Sequence, residues 1–278
     1  MEAAKIEITY FQSGSSKASH GDYYGAIADY SKVIEIDPQN GDAFYQRGYC
    51  KAMLGDHKNA IDDFSKAIDI DPKDEYQYWS RAHSKMTIGD YHGSIADFSK
   101  AIEINPRKTE LYDLRAEVKE KIGDHKGAIE DHNKAIELNP KMTWAYSHRG
   151  SSKANLGDYY GAIADYSREI ELNPKNGTAY LQRGSSKANL GDHKGAIEDS
   201  SRAIEIEPRD VIAYLMRANE KMMLGDHRGA IEDYNKVIEL NPKDGGTYYQ
   251  RGLCKEKFGD HTGAIADLNK AKELGHKL

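Results

Sequence analysis

From residue 41 onward, small and apolar residues recur at helical rather than alternating spacing. Phe44, Gly48 and Lys51 lie at i, i+4 and i+7. Ala60, Ile61, Phe64, Ala67 and Ile68 follow i, i+1, i+4, i+7 and i+8, the recurrence that gathers side chains on one face of a 3.6-residue helix. Gly55 and Asp56 separate the two stretches, and Pro72 closes the second. Glycine reaches backbone conformations that a Cβ resists. An aspartate after it accepts hydrogen bonds from the free N–H groups of a starting helix, a cap worth about 1 kcal/mol. Proline ends a helix by withholding a donor. The segment therefore predicts a helix A, a tight turn, a helix B and a proline-marked turn.

The pattern repeats along the chain. The seven prolines, Pro38, Pro72, Pro106, Pro140, Pro174, Pro208 and Pro242, stand 34 residues apart, and none lies off that grid. A fixed period of this size signals a repeat array rather than one or two globular domains. With proline at position 32, the units are 7–40, 41–74, 75–108, 109–142, 143–176, 177–210, 211–244 and 245–278, after a lead-in of 1–6. Position 15 is glycine and position 16 aspartate throughout, from Gly21 and Asp22 to Gly259 and Asp260. Position 21 is always isoleucine. Position 4 is always aromatic (Tyr10, Phe44, Tyr78, Tyr112, Tyr146, Tyr180, Tyr214, Tyr248), and position 8 is glycine or alanine. Small residues at position 8, and at position 20 on helix B, fit two helices that approach closely.

Period and wording together resemble the tetratricopeptide repeat, and the resemblance covers residues 7–278; the stretch 45–72, YQRGYCKAMLGDHKNAIDDFSKAIDIDP, resembles it throughout. The wording is similar to that of bacterial members. The resemblance implies an all-α fold, a right-handed α-solenoid superhelix of eight helix-turn-helix repeats. Helices A would line its concave face and helices B its convex face.

This chain departs from the family pattern in a coordinated way. Position 7, usually leucine, is arginine in seven repeats (Arg47, Arg81, Arg115, Arg149, Arg183, Arg217, Arg251), with Ser13 in the first. Position 11, usually tyrosine, is lysine in every repeat, and position 23 is aspartate in every repeat, from Asp29 to Asp267. A recurring Arg–Asp pair is expected. Pairing each Asp with the Arg of the next repeat, as Asp29 with Arg47, explains Ser13 but strands Asp267; pairing within repeats strands Asp29 instead. At position 27, Glu169 replaces the usual alanine or valine, and a buried carboxylate there calls for a cation or a looser junction. At position 28, Lys272 replaces isoleucine, as expected of a polar-faced terminal repeat.

Composition narrows the function. No stretch approaches 18 consecutive apolar residues and the mean hydropathy is -0.79, so no membrane span is expected. Residues 1–12 lack a basic segment followed by an apolar one, so no signal peptide is expected. Cys50 and Cys254, in the same phase of different repeats, are expected to be unpaired thiols of a cytoplasmic protein. The net charge of -6 argues against nucleic acid as partner. No nucleotide loop and no HExxH, CxxC or GxSxG motif is present, so no enzyme is expected, and no cofactor or metal. The histidines His57, His125, His193, His227 and His261 recur at position 17, spaced like a ladder rather than a metal shell.

Positions 2, 5, 6, 9, 12 and 13 of helix A are not set by the repeat scaffold, so they are where a partner is expected to be read. Candidates are Phe11, Tyr45, Tyr49, Tyr76 and Trp79 in the N-terminal repeats and Trp144 near the middle. Further along come Leu181, Ile212, Leu215, Met216, Met222 and Met223, with Tyr249 beyond. Repeat 4 adds an acidic patch of Glu110, Asp113, Glu117 and Glu120. The carboxylate clamp of the family's chaperone-binding members, with Lys at position 5 and Asn at position 6, has no counterpart; Asn219 is the only Asn at position 9. The expected function is a non-enzymatic scaffold that binds a protein or peptide segment, basic or apolar, in the concave groove. The alternative is a structural protein that self-associates through the end repeats or the convex faces, without a separate groove ligand.

Overall fold

The computed structural model describes residues 2–277 and contains sixteen α-helices and no strand among them. The chain divides into two compact units at Pro140/Lys141. The first unit holds α1 (Glu2–Ser19), α2 (Tyr23–Ile36), α3 (Gly41–Met53), α4 (His57–Ile70), α5 (Glu75–Thr87), α6 (Tyr91–Ile104), α7 (Thr109–Lys121) and α8 (His125–Leu138). The second holds α9 (Thr143–Asn155), α10 (Tyr159–Leu172), α11 (Gly177–Asn189), α12 (His193–Ile206), α13 (Val211–Met223), α14 (His227–Leu240), α15 (Gly245–Phe258) and α16 (His261–Glu273). Each unit is four consecutive helix pairs, the all-α architecture of a repeat solenoid. The helix of the first repeat starts at Glu2, so residues 2–6 are helical too. No helix among the described residues is long and apolar enough to cross a membrane.

Each turn between helices A and B is built from its glycine and aspartate. The position-15 glycines have φ between 77° and 95°, the left-handed region. The next residue caps helix B: Asp90 Oδ1 accepts from the Gly93 N–H at 2.9 Å. The recurring glycine at position 19 makes room for that cap, since a Cβ on Gly93 would lie 2.1 Å from Asp90 Oδ2. Asn59 is the exception at this position, and its cap bond to Asp56 stretches to 3.4 Å.

Helices A and B of one repeat meet at a seam of small residues and buried rings. Tyr30, Phe64, Phe98, Tyr166 and Tyr234, at position 24 of helix B, are buried against position 8 of helix A. A Cβ on Gly48 would stand 3.0 Å from the Phe64 ring. Repeat 4 places His132 at this position, fully buried. Cys50 and Cys254 are free, and burial pushes both thiols up to about 11.

Pairing between repeats, the expectation in which Asp29 meets Arg47, is not what the fold contains. The aspartate binds the arginine of its own repeat: Arg47 Nε and a terminal nitrogen donate to the two oxygens of Asp63 at 2.9 and 2.7 Å. The same fork joins Arg81 to Asp97, Arg115 to Asp131, Arg149 to Asp165, Arg183 to Asp199, Arg217 to Asp233 and Arg251 to Asp267. Position 11 completes the clamp, with Lys51 Nζ 2.7 Å from Asp63. The physical reason is the antiparallel pairing of A and B, which brings positions 7, 11 and 23 together. The arginine does reach the preceding repeat, but to a hydroxyl: its remaining terminal nitrogen donates to Ser31 Oγ at 3.1 Å, while that hydroxyl donates to the Ile27 carbonyl. Its guanidinium also lies over the Phe44 ring, 5.5 Å from the centroid. In repeat 1, Ser13 and Lys17 hold Asp29 without an arginine, at 2.6 and 2.7 Å. Burial raises the Asp29 pKa, but Lys17 and Ser13 outweigh it and the net shift is downward.

Glu169 does not reach a cation, one of the two outcomes expected for it. It is 3% exposed, and no Lys or Arg among the described residues pairs with it. The Asn176 amide donates to Oε1 at 2.6 Å, and Oε2 is buried without a hydrogen-bond partner. Burial raises its pKa, against partial lowering by Ser147, Asn176 and His148. Lys272 is exposed, and His276 stacks on Tyr249 with ring centroids 4.7 Å apart.

Candidate functional site

Successive helices A touch one another within each unit, α1 with α3 and α3 with α5 in the first, α9 with α11 and α11 with α13 in the second. Positions 2, 5, 6, 9, 12 and 13 of these helices therefore share one wall per unit, and α7 adjoins the first wall where Glu117 acts on His83 of α5.

In the first unit, Tyr49 and Trp79 come together. With Met53, His57, Phe64 and His83 they line a recess of about 220 Å³. Tyr49 is 41% exposed, and the Trp79 ring lies 5.3 Å from that of His83, one helical turn on. The His83 ring keeps solvent access but is crowded by the wall, and this desolvation lowers its pKa, against a raising influence from Glu117. Tyr45 turns toward the seam instead. Its ring packs 5.7 Å from Phe64, its hydroxyl lies 3.2 Å from that of Ser80, and burial raises its pKa. Tyr76 is exposed, with Lys108 Nζ 3.8 Å from its ring centroid. Phe11 meets Tyr30 edge-on at 5.5 Å and borders a separate recess of about 270 Å³ with Glu7, Ile8 and Asp42.

The four acidic residues of repeat 4 do not form a freely solvated patch. Glu120 Oε1 lies 3.3 Å from His132 Nε2, and Asp113 lies 3.8 Å from His132 Nδ1. Glu117 pairs with Lys121 at 3.3 Å, and Glu110 is exposed. His132 escaped the sequence reading, although it stands where five other repeats have a ring.

In the second unit, Met216 and Met222 line a recess of about 690 Å³ with Met223, Asn189, Asn219 and Gln250. At its edge His193 Nδ1 lies 2.7 Å from Glu220. Leu215 and Met222 also pack against the core around Ala218, Tyr234 and Cys254. Ile212 and Met223 are exposed, by 61% and 69%. Trp144, half-buried, meets His148 edge-on. Leu181 is a correction: at 9% exposure it is core, packed with Ala203 and Ala213 and covered by Met216.

His83 was also missed, because the sequence reading weighed apolar residues and carboxylates on this face. Its phase was the available signal: it occupies position 9, between Tyr49 and Glu117 in the neighbouring repeats.

Models described as tetratricopeptide repeat match residues 41–74 and 211–244, and 78–108, 109–142, 177–210 and 246–274; one described as TPR repeat matches 14–55. Among curated proteins none matches. A solved C-terminal part of a TPR repeat-containing protein from Cytophaga hutchinsonii is 16% identical, covering 86% of this chain and 98% of its own, with a TM-score of 0.77. MamA is 24% identical, covering 63% and 96%, with a TM-score of 0.59. YrrB, described as a TPR protein with an unusual peptide-binding site, is 22% identical, covering 64% and 92%, with a TM-score of 0.56. At these identities the likeness is one of fold.

Proposed function

Because the chain belongs to the tetratricopeptide repeat family, a family of protein-interaction scaffolds, we infer that it binds a peptide or a partner's helix on its helix-A walls and carries out no chemistry itself. The observation that carries this reading is the recess between Tyr49 and Trp79. Two large rings, Tyr49 exposed and Trp79 half-buried, stand at positions that the repeat scaffold leaves free, and rigid aromatic surface of this kind anchors partners. The Met-lined recess of the second unit is a second contact surface, adaptable because methionine side chains repack readily.

The test is a random peptide display library panned on the full chain, followed by titration of a selected peptide. Tyr49→Ala combined with Trp79→Ala weakens binding by at least about tenfold while the circular dichroism stays helical. Full binding with intact helicity rejects the recess as the site, and lost helicity assigns the rings to the core.

Self-association has one observation in its favour. Ile6 and Ile8 on α1 and Ile265 on α16 are exposed, by 44%, 56% and 60%, and a second copy would cover such residues. Sedimentation over a range of concentrations separates the readings: a constant monomer mass removes this one.

A further inference from the structure

We propose that the recess between Tyr49 and Trp79 receives a cationic side chain, an arginine or lysine of the bound segment. This rests on the groove reading above and assigns the chemistry of its anchor. Aromatic faces attract cations through their negative quadrupole, and an indole does so best. The wall already displays this pairing one turn before Trp79 on α5, where Lys108 Nζ stands over the Tyr76 ring at 3.8 Å.

Charge on the wall selects the same occupant. At the six free positions of helices A in the first unit, the carboxylates are Asp42, Glu110, Asp113, Glu117 and Glu120, and Lys121 is the one Lys or Arg. Pairing of Glu117 with Lys121, and of Glu120 with His132, leaves the wall's formal charge negative. Neighbouring cations are turned away from the recess: Lys51 and Lys85 are held by Asp63 and Asp97 at 2.7 and 2.8 Å. The recess lining itself carries no lysine or arginine. Crowding disfavours the charged form of His83, so it does not repel a cation at neutral pH. An apolar side chain would find the same Met53 and Phe64 floor but would make no use of this field. The wall of the second unit is the contrast: its free positions hold one carboxylate, Glu256, and one lysine, Lys257.

The probe is the capped peptide acetyl-Ala-Leu-Arg-Leu-Ala-amide, with two twins carrying citrulline or norleucine in place of arginine. Citrulline keeps the shape of arginine without its charge. Binding to the full chain and to each variant is followed by isothermal titration calorimetry. The arginine peptide binds at least about tenfold more tightly than either twin at low salt, and the advantage shrinks as salt is added. Trp79→Leu brings its affinity down to that of the twins. Glu117→Gln, a change on the half-exposed wall, lowers the preference about two- to threefold and serves if Trp79→Leu fails to fold. Equal binding of all three peptides overturns the cationic assignment and leaves the groove reading standing. An arginine preference that survives Trp79→Leu overturns the recess as its origin. Binding of none of the three overturns both.

Discussion

Arg47 holds both carboxylate oxygens of Asp63 across the helix pair of its own repeat, and its third nitrogen reaches Ser31 in the repeat before. One side chain thus closes a repeat internally and ties it to its neighbour. Guanidinium suits both tasks because its planar fork carries five donors. The aspartate is the more buried partner, with its side chain 5% exposed against 19% for the arginine.

Asp63→Ala leaves Arg47 and Lys51 half-buried without their carboxylate. The expected loss is roughly 3 kcal/mol, measured by denaturant unfolding. Arg47→Ser copies the arrangement of repeat 1, where serine and lysine suffice, and costs about 2 kcal/mol or less. Equal losses for the two variants would show that the aspartate has no special dependence on its cations.

Glu169 makes stability depend on pH in a defined direction. Its pKa is raised in the fold, chiefly by burial, so the folded chain keeps a proton that the unfolded chain releases near its ordinary value of 4.5. Stability therefore falls as pH rises from that value through the folded pKa. Glu169→Gln keeps an oxygen for the Asn176 amide and removes the titration. Its melting temperature should match that of the parent near pH 4 and exceed it near pH 8. A constant difference across that range would rule out titration of Glu169 as the cause.

Gly89 separates backbone strain from crowding. A Cβ there meets nothing within 4 Å, yet φ is +84°. Gly89→Ala should cost about 1–2 kcal/mol through conformation alone. Gly89→Asn should cost less, because asparagine tolerates the left-handed region better. Thermal unfolding of the pair measures the difference; an alanine variant as stable as the parent would remove the strain argument.

Much of the architecture was legible because its causes are local in sequence. Gly89, Asp90 and Gly93 together specify a left-handed residue, a cap and the clearance for that cap within one turn. Pro106 ends the following helix on equally local grounds. What the sequence could not decide was which residues meet between helices. It supplied Arg47, Asp29 and Asp63 in register and left two pairings open; the antiparallel packing of A on B chose Asp63. It placed Tyr45, Leu181 and Trp79 at one repeat position, but the three have different surroundings in the fold. Met216 covers Leu181, while Ser80 takes the Tyr45 hydroxyl and Trp79 stays on the recess wall. Asp113 and Glu120 read as open carboxylates until the fold set buried His132 between them. Helix and turn formation follow from hydrogen bonds and backbone preferences a few residues apart. The exposure of a side chain depends on volumes contributed by another repeat, and only the assembled structure decides it.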